Sequence, residues 1–296
     1  MLSELTDIEY LIAFSDGRTA LSDACVRQAS ECGRLYCERA DDTYRGFLCT
    51  ETEGRTARIL YAYTKPEFRG RGIFTSLAEH VVQTAEGDVR ISIPERHPCF
   101  AEVDAVCRRL GFAPTESLHT FSFDRSQEGA WQRTKQAQRF DACCAWLNRS
   151  GCEAVFFADA DADILRQIEN SHHSSFGNQL DPAPFFRLPS KNLSYTLSCA
   201  AVKEGRVLAY SLLSQQSREA VIFEQIASAS AAREPGVILL PYMYSTDRFF
   251  ESGYDRCAFA IYPSNTASNR IRQTLEKELR LTENVTRQYK KEWSRH

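Results

Sequence analysis

No stretch of the 296 residues is apolar over the roughly 20 positions that a bilayer-spanning helix needs, and apolar runs such as Val237 to Leu240 are short. The opening MLSELTDIEY carries acids where a signal peptide carries base. A cationic excess is also missing. Against 36 Lys and Arg stand 39 Asp and Glu, a formal net charge of -3, so a nucleic-acid backbone finds no broad field to settle on. There is no C-x-x-C and no Cys/His pair at zinc spacing. The 11 cysteines, an odd number scattered from Cys25 to Cys257, read as small packed thiols rather than a disulfide framework or a metal site. These absences point to a cytoplasmic protein with no metal, membrane or nucleic acid among its expected partners.

What is present is ordinary globular material: 43% hydrophobic and 25% charged residues, in a length that suggests two domains at roughly 150 residues each. The first half has helical patterns at about 3–14 and 19–32, then strand-like runs LYCERA, YRGFLCTE and ARILYAYT. A helix follows at 72–86, where Ile73, Phe74, Leu77, Ala78, Val81, Val82 and Ala85 form one apolar face. VRISI alternates as a strand should, a helix at about 99–110 closes at Gly111, and LHTFSF is a final strand. The polar stretch 124–136 marks a boundary, and the spacing of Trp131, Phe140, Cys143 and Leu147 predicts one connecting helix from Ala130 to Leu147. The second half repeats the element order, ending in a strand RCAFAIY and a helix from Thr266 to Leu279. That order suggests a divergent tandem duplication: 1–125, a connector at 126–150, and 151–296. In the second half, Asp159, Asp161 and Asp163 read as a helix N-cap with acids that favour the helix dipole.

The chemically informative segment is ILYAYTKPEFRGRGIFTSLAEHVV. A strand runs into Pro66, then a turn of Arg69, Gly70, Arg71 and Gly72, then at once a helix. Glycines let backbone N–H groups converge on an anion, the helix N-terminus adds partial positive charge, and two arginines add charge-assisted hydrogen bonds. At these residues the chain resembles the GCN5-related N-acetyltransferase family, whose acyl-CoA motif is Q/R-x-x-G-x-G/A. Arg69-Gly70-Arg71-Gly72-Ile73-Phe74 matches the first four positions, and Phe74 departs at the last. Element order and the Leu110-Gly111-Phe112 ending also resemble the family over about 20–125, while the second half is fainter. There Arg233-Glu234-Pro235-Gly236 stands where a second copy of the motif would fall, without its Gly-rich cradle.

The resemblance implies an α/β (α+β) fold of two such domains, each a mixed, mainly antiparallel sheet flanked by helices, the first binding acyl-CoA and the second degenerate. It implies acetyl-CoA as cosubstrate, its pyrophosphate on Arg69, Gly70, Arg71, Gly72, Ile73 and Phe74, and a small-molecule or peptide amine as acceptor. A homodimer is compatible with it. Tyr63, beside Tyr61 on one strand face, is a candidate for lining the channel or donating a proton, against an ordinary core aromatic. Glu95 and His97, in the loop after VRISI, are the leading acid or base candidates. The position where the family often has a proton-donating Tyr is Cys107 here, which also suits packing on an apolar helix face. The strand position of the family's Glu base lies near Arg58, so that role is vacant. A non-catalytic acyl-CoA-binding or scaffolding protein of the same fold is the alternative.

Overall fold

The computed structural model describes residues 2–4, 33–40, 43–173, 176 and 181–293. The helices expected at 3–14 and 19–32 lie outside the described residues, except that Ser3 and Glu4 belong to a strand. The chain divides into two compact units, residues 1–118 with 284–296, and residues 119–283.

Unit 1 is built on the strands β1 (Leu2–Glu4), β2 (Gly33–Ala40), β3 (Thr43–Glu53), β4 (Thr56–Thr64) and β5 (Val89–Pro94). They lie side by side in that order, antiparallel except that β4 and β5 run parallel. The crossover between the parallel pair carries helix α1 (Ile73–Thr84), which buries Ile73, Leu77, Ala78 and Val81, the face its periodicity announces. In β5, Val89, Ile91 and Ile93 are buried while Arg90, Ser92 and Pro94 are exposed. Helix α2 (Phe100–Arg109) follows, and Gly111 beyond it takes a left-handed φ of 75°. A two-residue strand β6 (Ala113–Pro114) completes this part of the chain.

The far edge of this sheet comes from the other end of the chain. Strand β13 (Thr282–Lys291) pairs antiparallel with β5, Thr286 opposite Pro94 and Lys291 opposite Val89, and also with β6. Its Tyr289 is buried in the same cluster as Ile91, Cys107 and Phe112. The other sheet face carries Leu35, Cys37, Phe47 and Cys49, with Tyr61 and Tyr63 against them.

Unit 2 repeats the topology. Strands β8 (Glu153–Phe156), β9 (Cys199–Lys203), β10 (Arg206–Gln215), β11 (Ala220–Ser228) and β12 (Arg256–Ile261) lie in that order, with β7 (Leu118–Asp124) outermost beside β12. Only β11 and β12 are parallel, and helix α7 (Leu239–Glu251) crosses between them. The linear boundary at 125 thus differs from the compact units by one strand in each direction, because β7 completes the sheet of unit 2 and β13 that of unit 1.

The connecting helix expected from Ala130 to Leu147 is two helices, α3 (Glu128–Ala137) and α4 (Phe140–Arg149). They break at Arg139, whose φ of 54° is left-handed. Trp131 is fully buried in the core of unit 2, its indole N–H donating to Asp247 Oδ1 at 2.7 Å, and the buried Lys135 binds the same carboxylate at 2.9 and 3.0 Å. Helix α5 (Ala162–Glu169) opens as expected on Asp161, whose side chain accepts from the N–H groups of Asp163 and Ile164 at 2.9 Å. The short helix α6 (Ala183–Arg187) and helix α8 (Thr266–Leu275) complete the unit. Of the nine described cysteines, seven are buried, Cys143 is half-buried and Cys99 is exposed.

Candidate functional site

In unit 1 the turn between β4 and α1 is set by two glycines in the left-handed region, Gly70 at φ 74° and Gly72 at φ 79°. A Cβ built on either meets nothing within 4 Å, so both positions border open space and the glycines are required by backbone conformation. Gly72 caps α1, and the first helical hydrogen bond runs from the N–H of Ser76 to Gly72 O at 2.9 Å. The N–H groups of Ile73, Phe74 and Thr75 precede it and have no intrahelical acceptor. They lie beside Gly70, Arg71 and Gly72 at the positive end of a helix dipole.

Cations surround this turn. The Arg69 side chain reaches back to Thr64 O at 3.2 Å, which fixes the start of the turn. The guanidinium groups of Arg71 and Arg45 lie over the Phe68 ring, 5.5 and 5.3 Å from its centroid. The Nε of Arg45 is buried with no hydrogen-bond partner among the described residues. Arg109 of α2 donates to Thr75 Oγ1 at 2.5 Å and ties the first turn of α1 in place. Open glycines, outward N–H groups and an unpaired guanidinium nitrogen all fit a phosphate-bearing ligand.

The sheet opens beside this turn. β4 and β5 are paired only from Ala57 with Val89 to Ile59 with Ile91, and a bulge against β3 falls at the next residue, Leu60. Because of that bulge Tyr61 and Tyr63 leave the face of Ile59 and join Phe47, with ring centroids 5.8 and 5.7 Å away. Tyr63 therefore sits in an aromatic cluster on the sheet face away from α1.

The candidates after β5 sit in a structured loop. Glu95 forms an ion pair with Arg287 of β13, which in turn lies over the Phe100 ring at 5.8 Å, and the N–H of Glu95 donates to Val285 O at 2.8 Å. The pair holds the Arg287 pKa above its ordinary value. His97 is exposed, and its Nδ1 accepts from the Cys99 N–H at 3.1 Å, which leaves the proton of the neutral ring on Nε2. Cys107 is fully buried, and burial, with Asp104 nearby, pushes its thiol up to about 12. Arg58 pairs with Glu51 at 3.3 Å. The structure thus places Arg69 to Phe74 beyond the carboxyl end of β4 and Glu95 and His97 beyond that of β5, on the same side of the parallel pair, while Tyr63 and Cys107 lie in packed clusters.

Three features beside these candidates were not visible in the sequence: the position of Arg45, the bulge at Leu60 and the arrival of Tyr289. Tyr289 comes from the late strand β13, its phenol donating to Asp104 and, with Arg108, holding that carboxyl below its usual range. Gly46, next to Arg45, was the one available signal. A Cβ there would meet Ile73 Cγ2 and Tyr63 O at 2.7 Å, so the glycine lets the head of α1 close onto β3.

The corresponding turn of unit 2 is filled from within. Gly236 has φ 76°, as Gly72 does, but a Cβ there would meet Cys143 Sγ at 3.1 Å and Leu239 Cδ1 at 3.7 Å. The Glu234 carboxylate accepts from the Arg233 N–H at 3.1 Å and from Lys203 Nζ at 2.9 Å, and Lys203 holds its pKa down. A carboxylate of the chain's own is thus held at this turn by Lys203.

No family model matches the sequence, and no curated protein is similar to it in sequence. Solved structures are similar in fold. A tandem GNAT protein from the clavulanic acid biosynthesis pathway aligns over 100% of this chain and 99% of its own, with a TM-score of 0.65 at 12% identity. A GCN5-related glucosamine N-acetyltransferase region of a fungal multi-domain β-N-acetylglucosaminidase has a TM-score of 0.70 at 11% identity, covering 98% of this chain and 38% of that one. A GNAT-family acetyltransferase from Colwellia psychrerythraea gives 0.60 at 12%, covering 98% and 100%.

Proposed function

We propose that this chain, which has the tandem GCN5-related N-acetyltransferase fold, moves an acetyl group from acetyl-CoA to an amine of a small molecule or peptide, with the acyl donor held by unit 1. The carrying observation is the turn with Gly70 and Gly72 open to space at the head of α1. The N–H groups of this turn and the Arg69, Arg71 and Arg45 charges would hold its diphosphate. When bound, acetyl-CoA supplies an activated thioester. The chain contributes the gap between β4 and β5, where Leu60, set out of register by the bulge, presents a backbone N–H suited to polarising a carbonyl. Transfer forms a bond from the amine nitrogen to the acyl carbon and breaks the carbon–sulfur bond. The amine loses a proton and the thiolate gains one. His97, with Nε2–H free to donate, is the candidate for the second of these steps, and Glu95 keeps the loop in place through Arg287.

Gly72→Glu puts a carboxylate and a strained φ into the donor turn. The expected outcome is at least about a hundredfold loss of acetyl-CoA affinity by calorimetry, about 2.7 kcal/mol. Unchanged affinity would remove the site.

A second reading, acyl-CoA binding without transfer, is favoured by one observation: Glu95 is ion-paired and Cys107 is a buried thiol, which leaves no evident base. Thiol release across a panel of amines, measured beside binding, separates the two.

A further inference from the structure

Arginines elsewhere in unit 1 meet acids: Arg58 pairs with Glu51 at 3.3 Å, Arg108 with Asp104 at 2.9 Å, and Arg287 with Glu95. The turn between β4 and α1 is different. Arg45, Arg69, Arg71 and Arg109 gather about it, and among the described residues none of the four is paired with an acid. Like charges do not collect in one place unless something holds them there.

For two of them the holder is one ring. Pro66 opens a single 3₁₀ turn, Pro66–Phe68, in which the Phe68 N–H donates to Lys65 O at 2.9 Å. The Lys65 N–H donates to Arg45 O at 3.0 Å, so the chain leaves β4 beside Arg45 and the turn brings Phe68 back to it. Phe68 is half-buried and packs against the core cluster that contains Ile73, the first residue of α1. The guanidinium carbons of Arg45, from β3, and Arg71, from the turn, lie 5.3 and 5.5 Å from its centroid. Arg45 bears a further cost, because its buried Nε has no hydrogen-bond partner. The π-face offsets part of this repulsion and desolvation, and an anion seated at the turn offsets the rest.

We infer that Phe68 is a positioning residue of the donor site, whose ring holds Arg45 and Arg71 ready for the phosphates of the acyl donor. The inference rests on the acyl-CoA reading of the turn and adds to it a residue that touches no ligand itself. A free arginine loses much rotamer freedom when it closes on a phosphate. One already stacked loses less, so the ring contributes affinity by pre-organisation.

The test is calorimetry on the full chain with acetyl-CoA. Phe68→Leu, which keeps an apolar side chain against the core and removes the ring, should weaken binding at least about fivefold. Phe68→Tyr, which keeps the ring, should bind as wild type does. In an Arg45→Gln background Phe68→Leu should cost less than it does in wild type, because one of the two groups it positions is gone. A role in the fold alone predicts the same cost in both backgrounds. Full affinity in Phe68→Leu, an equal loss in Phe68→Tyr, or an equal cost with and without Arg45 would each overturn the inference and leave acyl-CoA binding in place. No binding of acetyl-CoA by wild type would remove the donor reading itself, and this inference with it.

Discussion

A methyl group at position 46 would stand 2.7 Å from both Ile73 Cγ2 and Tyr63 O, closer than real Cβ contacts come. One neighbour is backbone, so relief requires the head of α1 to move. Gly46→Ala is therefore expected to cost about 1–3 kcal/mol in urea unfolding and to weaken acetyl-CoA binding, because the same shift displaces the donor turn. Cys107 behaves differently. Fully buried, with its thiol pushed up to about 12, it is protonated and shielded at neutral pH. Cys107→Ala should keep any transfer activity and lose about 1–2 kcal/mol of stability through the small cavity. In native protein at pH 8, iodoacetamide should label the exposed Cys99 and spare Cys107, as peptide mapping would show. At this scale the turn itself was readable, since Gly70 and Gly72 between a strand and an amphipathic helix do take the left-handed conformation. Arg45 was not, because nothing in YRGF announces that its guanidinium ends over Phe68.

Elements whose burial follows a simple period were legible. VRISI and the apolar face of α1 repeat every second or every third to fourth residue, and packing obeys that period. β13 was missed because TENVTRQYKK is almost wholly polar, and Tyr289 is its one fully buried residue. The bulges at Leu60 and Glu224 were illegible for another reason, since a bulge is a property of two paired strands and not of either one. The break between α3 and α4 was hidden because no Gly or Pro marks it. Arg139 takes the left-handed conformation at a steric cost of about 1–2 kcal/mol. Arg139→Gly is expected to recover up to about 1 kcal/mol of that, the remainder being offset by extra freedom in the unfolded chain. A higher urea midpoint with an unchanged slope would be the sign.

For the molecule as a whole, β13 and the chain just beyond it, at Trp293, are fastened by acids whose pKa values are depressed. Asp88 accepts from Lys290 Nζ at 2.9 Å and from the Trp293 N–H at 3.0 Å, and Asp104 accepts from Tyr289. Both carboxyls titrate below the ordinary 3.8, Asp88 chiefly through Lys290 and Asp104 chiefly through Tyr289. The folded state then binds fewer protons than the unfolded one, so their stabilisation is complete above that value and fades as pH falls through the folded pKa. Glu224 in unit 2 has the opposite sign. Its raised pKa means that acidification favours the folded form, and stability is lost as pH climbs from 4.5 through the raised value. Hydrogen exchange between pH 5 and pH 2 should therefore show residues 282–293 losing protection before α7 does. Protection lost first in α7 would contradict this.

The placement of β13 also bears on how the protein is made. About 190 residues separate Pro94 from its strand partner Thr286, a span that a ribosome covers in about 10–40 s at 5–20 residues per second. Through that interval β5 has a bare flank, with Ile91 and Ile93 short of Tyr289, and such a flank invites strangers. A slow codon run in the second half would lengthen that exposure.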